Sequence, residues 1–276
     1  VTASPATARF TASSTALTGS FIISVSSAFP TGDYNLTLQL SGTSSAEYPP
    51  QPVRAAVHVL AADAPPSPPA LLSAVFSNSG GSLYVTFDSA SDQALSTVPC
   101  ASLFVFNGAA KATCTWTSNA AVRVKFPAYD GTAFAEPSQV LQLKAGTIKA
   151  QCYAGADCTA YAFSGAQSVT IAAPASPINP VVVISMPRWS TACAMVVVDA
   201  SLSSGHGGRP WQVANWTVRA NVPGTSTSVL QARLNSLGTK LAQTTQFTAN
   251  SMLSLGVEYT ISLALTNFLG QSSSTS

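Results

Sequence analysis

Hydrophobic and polar residues alternate along much of the chain, which is the pattern of a half-buried β-strand. Near the start, Phe21, Ile23 and Val25 alternate with polar residues, and a second alternating run follows at Tyr34–Leu40. The turn-forming residues 30–33 separate these two runs, and Val53–Leu60 adds a further strand-like stretch. Residues 1–62 are therefore predicted to form a β-sandwich module, which we expect to be partial.

Residues 70–174 contain many short apolar runs at nearly regular intervals. Turn residues separate most of them, including Asn107-Gly108 and the segment 129–131. The predicted strands are Leu71–Phe76, Leu83–Phe87, Leu103–Phe106, Ala112–Trp116, Val122–Phe126, Val140–Leu143 and Val169–Ile171. Short strands at this spacing are typical of a β-sandwich, so a second sandwich module is predicted here.

Residues 178–276 predict a third sandwich module that includes one short helix. The predicted strands are Val181–Ser185, Met195–Asp199, Gln212–Arg219 and Val257–Thr266. Four leucines at helical spacing predict a helix that packs on the core, with Ser228 as its N-cap; they are Leu230, Leu234, Leu237 and Leu241. The expected fold is all-β, a tandem array of Ig/fibronectin-like β-sandwich modules.

Two proline-rich segments separate the predicted modules. The first is a stiff polyproline II spacer, made of Pro65, Pro66, Ser67, Pro68 and Pro69. Such Ser-Pro-Pro runs are also candidates for proline hydroxylation and O-linked glycans. The second segment, residues 175–180, carries prolines at Pro177 and Pro180. Both are predicted to be joints between modules.

The chain has few charges, which narrows the classes of partner. Only 8% of the residues are charged, against about 25% in a typical protein. A net charge of +2 with no basic cluster argues against a nucleic-acid partner. No apolar run approaches the roughly 20 residues that a membrane-spanning helix needs. A surface rich in hydroxyl groups predicts an extracellular protein, and the absence of an initiating Met suggests a piece of a longer chain.

Sequons and cysteines point to the same compartment. Asn35 and Asn215 each begin an N-x-[ST] sequon and are predicted to carry N-linked glycans. Five cysteines are an odd number, and spacing favours two local disulfides, Cys100–Cys114 and Cys152–Cys158. Cys193 is then unpaired or bonds to a neighbouring module or chain.

The loop after Met195–Asp199 contains the densest group of candidate site residues. Gly205 and Gly208 flank His206, but the lysine of a phosphate-binding loop is missing and a strand follows instead of a helix. A metal site would use His206 with Asp199, and no further ligand clusters beside them. We expect an architectural corner in which four polar side chains bind nearby backbone amides: Asp199, Ser201, Ser203 and Ser204. The glycines would supply positive φ angles.

The sequence gives only weak support for other metal-binding, sugar-binding or catalytic sites. The best metal candidates are Asp88 and Asp92, which could bind Ca²⁺ at the end of a sandwich, although two acids accepting turn hydrogen bonds are the simpler interpretation. Trp189, Trp211 and Trp216 could stack on sugars, but we expect Trp211 and Trp216 in the core. With two histidines and scattered acids, we expect neither catalysis nor a cofactor.

Three motifs in the second and third predicted modules resemble known extracellular repeats. Residues 199–205 read DASLSSG, followed by Gly208-Arg209-Pro210 and Trp216, with Cys193 upstream. This pattern is similar to the receptor-for-egg-jelly (REJ) and PKD-repeat modules of polycystin-like ectodomains. The segment from Val85-Thr86-Phe87-Asp88 through Cys100 to Cys114-Thr115-Trp116 resembles the companion repeat of large green-algal extracellular proteins. The end of the chain, 259–270, also looks like the last strand of an REJ module, so the resemblance covers roughly residues 71–275.

The resemblance implies β-sandwiches in series that serve adhesion, ligand recognition or mechanical linkage. It makes Arg209 and Trp216 part of the structural corner together with Asp199, Ser201, Gly205 and Gly208. The alanine-, serine- and proline-rich composition is also similar to mastigoneme and flagellar-surface proteins of algae. We expect a structural module of an extracellular fibre whose partners are neighbouring modules, neighbouring chains and glycans. The alternative is a ligand-binding or adhesive ectodomain of a polycystin-like membrane receptor.

Overall fold

Strands make up 38% of the chain and helices 8%, so the protein is mostly β. The computed structural model describes residues 2–9, 11, 21–24, 30–43, 45, 53–61, 64–93, 96–153, 157–240 and 243–276. The chain divides into two compact units, Val1–Pro66 and Ser67–Ser276, and the division falls within the first proline-rich segment. The boundary predicted between residues 174 and 178 lies inside the second unit and stays a prediction.

The described residues of the first unit form two small antiparallel sheets. Strand β1 (Thr2–Ser4) pairs with β2 (Ile22–Ser24), and β3 (Gly32–Leu38) pairs with β4 (Val53–Val59). The exposed imidazole of His58 on β4 bonds the carboxylate of Asp33, its cross-strand partner. His58 points away from the half-buried valines on either side of it, as the alternation predicts. Val25, part of the first predicted strand, lies outside the described residues.

The second unit begins with one curled sheet of eight strands. In chain order the strands are β5 (Leu71–Phe76), β6 (Ser82–Phe87), β7 (Thr97–Pro99), β8 (Phe104–Val105), β9 (Thr113–Ser118), β10 (Ala121–Lys125), β11 (Val140–Leu143) and β12 (Gln167–Ala172). Their order across the sheet is β7-β9-β10-β6-β5-β12-β11-β8. Its pairings are antiparallel except for the parallel contact between β12 and β5. The short helix α1 (Cys100–Leu103) lies between β7 and β8.

Alternation along these strands places one set of side chains inside the curl, where they form a first hydrophobic cluster. Trp116 stacks on Phe87 with ring centroids 5.5 Å apart, and the disulfide between Cys100 and Cys114 is fully buried beside them. The other fully enclosed members include Leu83, Val85, Val122, Val124, Leu141, Leu143 and Ile148. This cluster is the core of the region from residue 71 to 171.

Two further sheets follow in the same unit. The strands are β13 (Met195–Asp199), β14 (Val213–Ala220), β15 (Thr244–Thr248), β16 (Tyr259–Thr266) and β17 (Ser272–Thr275). Strand β13 pairs with β15, and β14-β16-β17 form a three-stranded sheet. The strand predicted at Val181–Ser185 does not form. Two isolated bridges replace it, Val181 with Ser204 and Ser185 with Asp199.

A second hydrophobic cluster lies between these sheets. Trp211 and Trp216 are both 2% exposed within it, which confirms that they are core residues. The other buried members include Val196, Val198, Leu230, Leu234, Leu263 and Leu265. The described residues of the second unit therefore form two hydrophobic clusters.

The predicted helix is real but shorter than the leucine stripe suggests. Helix α2 spans Ser228–Asn235, with Thr227 at the N-cap position instead of Ser228. Leu230 and Leu234 are fully buried, Leu237 lies beyond the helix against the second cluster, and Leu241 is outside the described residues. A third helix, α3 (Ala249–Met252), was not predicted, so the region has more than one helix.

Helix α2 also contacts the edge of the three-stranded sheet through one glutamine. The Gln231 side-chain amide donates to the carbonyl of Trp216 at 2.6 Å and accepts from the backbone N–H of Val218 at 2.9 Å. Both backbone groups belong to β14, the edge strand. Helix and sheet are thus joined by polar bonds as well as by the leucines.

Candidate functional site

The loop from Asp199 to Trp211, called the corner loop below, connects β13 to β14 and contains most of the predicted site residues. Asp199 Oδ1 accepts hydrogen bonds from the backbone N–H of Ser201 at 2.8 Å and from the Thr244 hydroxyl at 2.9 Å. The bonds from Ser201, and then the one from Thr244, lower the pKa of the Asp199 carboxyl. The predicted Asx turn at Asp199 is confirmed.

Ser203 has a different role from the local turn predicted for it. Its buried hydroxyl accepts from the backbone N–H of Val183 at 3.0 Å and donates to the Val183 carbonyl at 3.2 Å. Ser204 meets the same segment through paired backbone bonds with Val181, at 2.9 Å each. These bonds replace the missing strand at residues 181–185 and fix that segment against the corner loop.

The glycines of the corner loop have the backbone conformation predicted for them. Gly205 and Gly208 adopt φ angles of +95° and +77°, a region that residues with a Cβ rarely occupy. At Gly205 space is also restricted, because an added Cβ would lie 2.9 Å from the Cα of Pro180. The sharp corner therefore depends on glycine for both conformation and packing.

His206 is engaged within the loop itself. Its Nδ1 accepts the backbone N–H of Gly208 at 2.9 Å, and its ring meets the edge of Trp211 with centroids 5.5 Å apart. Burial lowers the pKa of the imidazole, so the ring is neutral at pH 7. Asp199 and His206 thus serve the loop's own geometry, and the described residues contain no group of three His, Cys, Asp or Glu side chains arranged to hold a metal.

The two calcium candidates also bind backbone groups. Asp88 accepts from the N–H of Ala70 at 2.7 Å, which fastens the chain entering β5. Asp92 accepts from the N–H of Lys149 at 3.1 Å. Both acids are hydrogen-bond acceptors, as the simpler interpretation expects, but their backbone partners are 18 and 57 positions away in the chain and not in a local turn.

Arg209 is the residue of the corner loop whose position the sequence did not predict. It is only 6% exposed, and its Nη1 donates to the carbonyl of Ala135 at 2.6 Å. Four phenylalanine rings surround the guanidinium, with distances from Cζ to the centroids of 3.9 Å for Phe268, 5.2 Å for Phe126, 5.3 Å for Phe76 and 5.7 Å for Phe134. Desolvation lowers the pKa of Arg209 to about 10, while nearby Glu136 acts to raise it, so the guanidinium remains charged at pH 7.

The cysteines form the two disulfides that their spacing favours, Cys100–Cys114 and Cys152–Cys158. Cys193 is an exposed free thiol, four residues from the 92% exposed Trp189. Both sequon asparagines are exposed, Asn35 on β3 and Asn215 on β14. These positions leave the asparagines accessible to modification.

No family model matches the chain, and no curated protein matches it. Among the described residues, no helix is long and apolar enough to cross a membrane. The candidate site therefore has to be interpreted from its own geometry.

Replacing Asp199 by alanine is expected to lower the free energy of unfolding at pH 7 by about 1 kcal/mol, the low end for lost hydrogen bonds at a partly exposed carboxylate. The folded-state pKa of Asp199 is below its unfolded value of about 3.9, so its contribution is complete well above pH 4 and disappears as pH falls through the folded pKa. Urea unfolding of wild type and Asp199→Ala at pH 7 and pH 3 measures this.

Asp199→Asn is the matched control, because its amide oxygen still accepts a hydrogen bond but carries no charge. Its stability difference from Asp199→Ala should not depend on pH. A wild-type advantage over Asp199→Ala that is equal at pH 7 and pH 3 would contradict the assignment.

Proposed function

We propose that this chain is a non-catalytic structural part of a secreted, glycosylated extracellular filament or surface fibre, built from tandem Ig-like β-sandwich modules. The observation that carries the proposal is the pair of disulfides, one buried in the first cluster and one nearer the surface. Disulfides persist in oxidising compartments and are rare in the cytosol, so they indicate a secreted or extracellular protein.

The surface chemistry supports the same environment. With only 8% charged residues, the chain has little ionic surface with which to steer a charged substrate or repel its neighbours. Hydroxyl groups and glycans would cover such a surface. The exposed sequons at Asn35 and Asn215, and the proline-rich segment 65–69, are the proposed sites of that cover.

The corner loop supports a structural role. Its polar side chains fix backbone turns, as at Asp199 and His206, or fasten a neighbouring segment, as at Ser203. A catalytic group would need its reactive atoms free to meet a substrate. These polar side chains of the corner loop instead form hydrogen bonds to backbone groups that stabilise the fold.

Cys193 is proposed as the contact to a neighbouring module or chain. The thiol is exposed, and the almost fully exposed Trp189 lies four residues before it. In an oxidising compartment an exposed thiol is available for disulfide formation. Neighbouring chains of the same assembly are the partners that a fibre supplies.

Electron microscopy of the native parent molecule tests the proposal. We expect an extended filament or string of beads in which these modules touch neighbouring chains. Non-reducing electrophoresis should show a cross-linked species that Cys193→Ser removes, whereas replacing the paired Cys152 and Cys158 should leave it in place. A compact monomer that binds a soluble ligand through one loop cluster would contradict the proposal and favour the polycystin-like receptor ectodomain.

A further inference from the structure

One buried charge reaches the first hydrophobic cluster from the part of the chain that builds the second. Arg209 lies in the corner loop and Phe268 between β16 and β17, and Phe268 packs against the first cluster. The other groups around the guanidinium come from the region of the first cluster: Phe76, Phe126, Phe134 and the carbonyl of Ala135. Arg209 therefore joins the corner loop, which belongs to the chain around the second cluster, to the first cluster.

Burying a guanidinium is costly unless other interactions replace its hydration. Here the replacement is a stack on the face of Phe268 at 3.9 Å, three more rings within 6 Å, and one charge-assisted hydrogen bond to Ala135. Separating the two regions would break the Ala135 bond and expose the phenylalanines. The stabilisation of the buried charge thus exists only while both regions are folded and in contact.

Neighbouring contacts make the junction continuous. An added Cβ at Gly207 would lie 2.7 Å from the ring of Phe268 and 3.1 Å from the carbonyl of Ser79, so backbone from both regions comes together there. The backbone N–H of Ile178 donates to the carbonyl of Asn78 at 2.9 Å. Arg209 lies within a packed interface, not in a flexible linker.

A surface pocket of about 360 Å³ lies beside this arginine and raises the question of a bound anion. Nε and Nη2 of Arg209 have no hydrogen-bond partner among the described residues, yet both atoms are sealed from solvent. The carboxylate of Glu136 lines the same pocket and would repel an anion. The geometry favours a role in joining the two regions over a role in binding a ligand.

We propose that Arg209 holds the two regions together and makes residues 67–276 a single cooperative folding unit, in which the two hydrophobic clusters unfold together. Packed and charge-coupled regions share their stability, whereas modules joined only by a linker unfold independently. The proposal concerns the fold alone and holds whether or not the chain belongs to a filament.

Pulsed hydrogen exchange, measured by mass spectrometry across a urea series, tests this role of Arg209 in the full chain. Peptides from β6 and β10 report the first cluster, and peptides from β14 and β16 report the second. In the wild type, both sets should lose protection at one urea concentration. In Arg209→Ala the two midpoints should separate by about 0.5 M urea or more. Arg219→Ala, which removes an exposed arginine from β14, is the matched control and should keep them coincident.

Phe268→Leu is a second variant that removes the nearest ring but keeps the charge. It should separate the two urea midpoints by a smaller amount. If Arg209→Ala does not fold well enough to protect its amides from exchange, Phe268→Leu is the variant that tests the proposal. Separate midpoints in the wild type would overturn the proposal. Coincident midpoints in every folded variant would overturn it equally.

Discussion

Replacing Cys100 and Cys114 together by alanine is expected to lower the free energy of unfolding by about 3 kcal/mol, the amount that cross-linking a loop of this length removes from the unfolded state. The two residues are 14 positions apart, and both are completely buried in the first cluster. Removing the sulfurs also leaves unfilled space in the first cluster, so packing is lost as well. Urea unfolding under non-reducing conditions measures the loss.

The second disulfide supplies the control. Cys152 and Cys158 are only six positions apart, Cys152 is exposed and Cys158 half-buried. Their double alanine variant should lose less stability, because the closed loop is shorter and the sulfurs fill no core space. Peptide mapping without reductant first establishes that both bonds are present. Equal losses for the two pairs, or no loss for the buried pair, would contradict the role given to Cys100–Cys114.

Leu234→Ala is expected to cost about 3 kcal/mol, because a fully buried leucine leaves a cavity when it is truncated. Leu234 lies on the face of α2 that packs on the second cluster, beside Leu230. Val229→Ala on the same helix should change stability by less than about 0.5 kcal/mol, because Val229 is exposed. Thermal or urea unfolding of both variants compares the two faces directly.

The opposite ranking would mean that the exposed face of α2, not its leucine face, carries the packing. It would also remove the physical basis for treating the leucine stripe as core. A loss near 3 kcal/mol in Leu234→Ala with an unchanged Val229→Ala would support the second cluster as described.

Alternating hydrophobicity predicted strands well where the strands bury one face. The predicted bounds of β5 and β11 agree residue for residue with the structure. Strands β15 and β17 were missed because their sequences, TTQFT and SSST, offer one apolar residue and none. β15 pairs with β13, which is distant in the chain, whereas β17 pairs with the preceding strand β16 in a hairpin. Neither strand has the alternation of apolar and polar residues that the prediction relied on.

The leucine stripe predicted a helix correctly but not its end. Spacing alone continued the helix to Leu241, whereas α2 ends at Asn235. Asn and Ser are poor helix formers, and the Ser236 hydroxyl bonds the carbonyl of Arg233 in the last turn. An apolar stripe identifies the buried face, while polar residues near the end decide where the helix stops.

Within the corner loop, the sequence predicted a contact between neighbouring residues but not a contact between residues far apart in the chain. Asp199 binds an amide two residues away, so the Asp-Ala-Ser pattern was sufficient to predict its turn. Arg209 lies between a glycine and a proline, a context that is typical of an exposed turn. Its bond to Ala135 crosses 74 positions of the chain, and only the packed structure brings those groups together.

The contact between Gln231 and β14 also limits which strands can pair with this edge of the sheet. An edge strand with free N–H and C=O groups is a template on which a foreign strand can add. By bonding Trp216 and Val218, the amide of Gln231 imitates the peptide group of a neighbouring strand and occupies two of the template positions. A foreign strand therefore cannot pair with Trp216 and Val218 of β14 without displacing the Gln231 side chain.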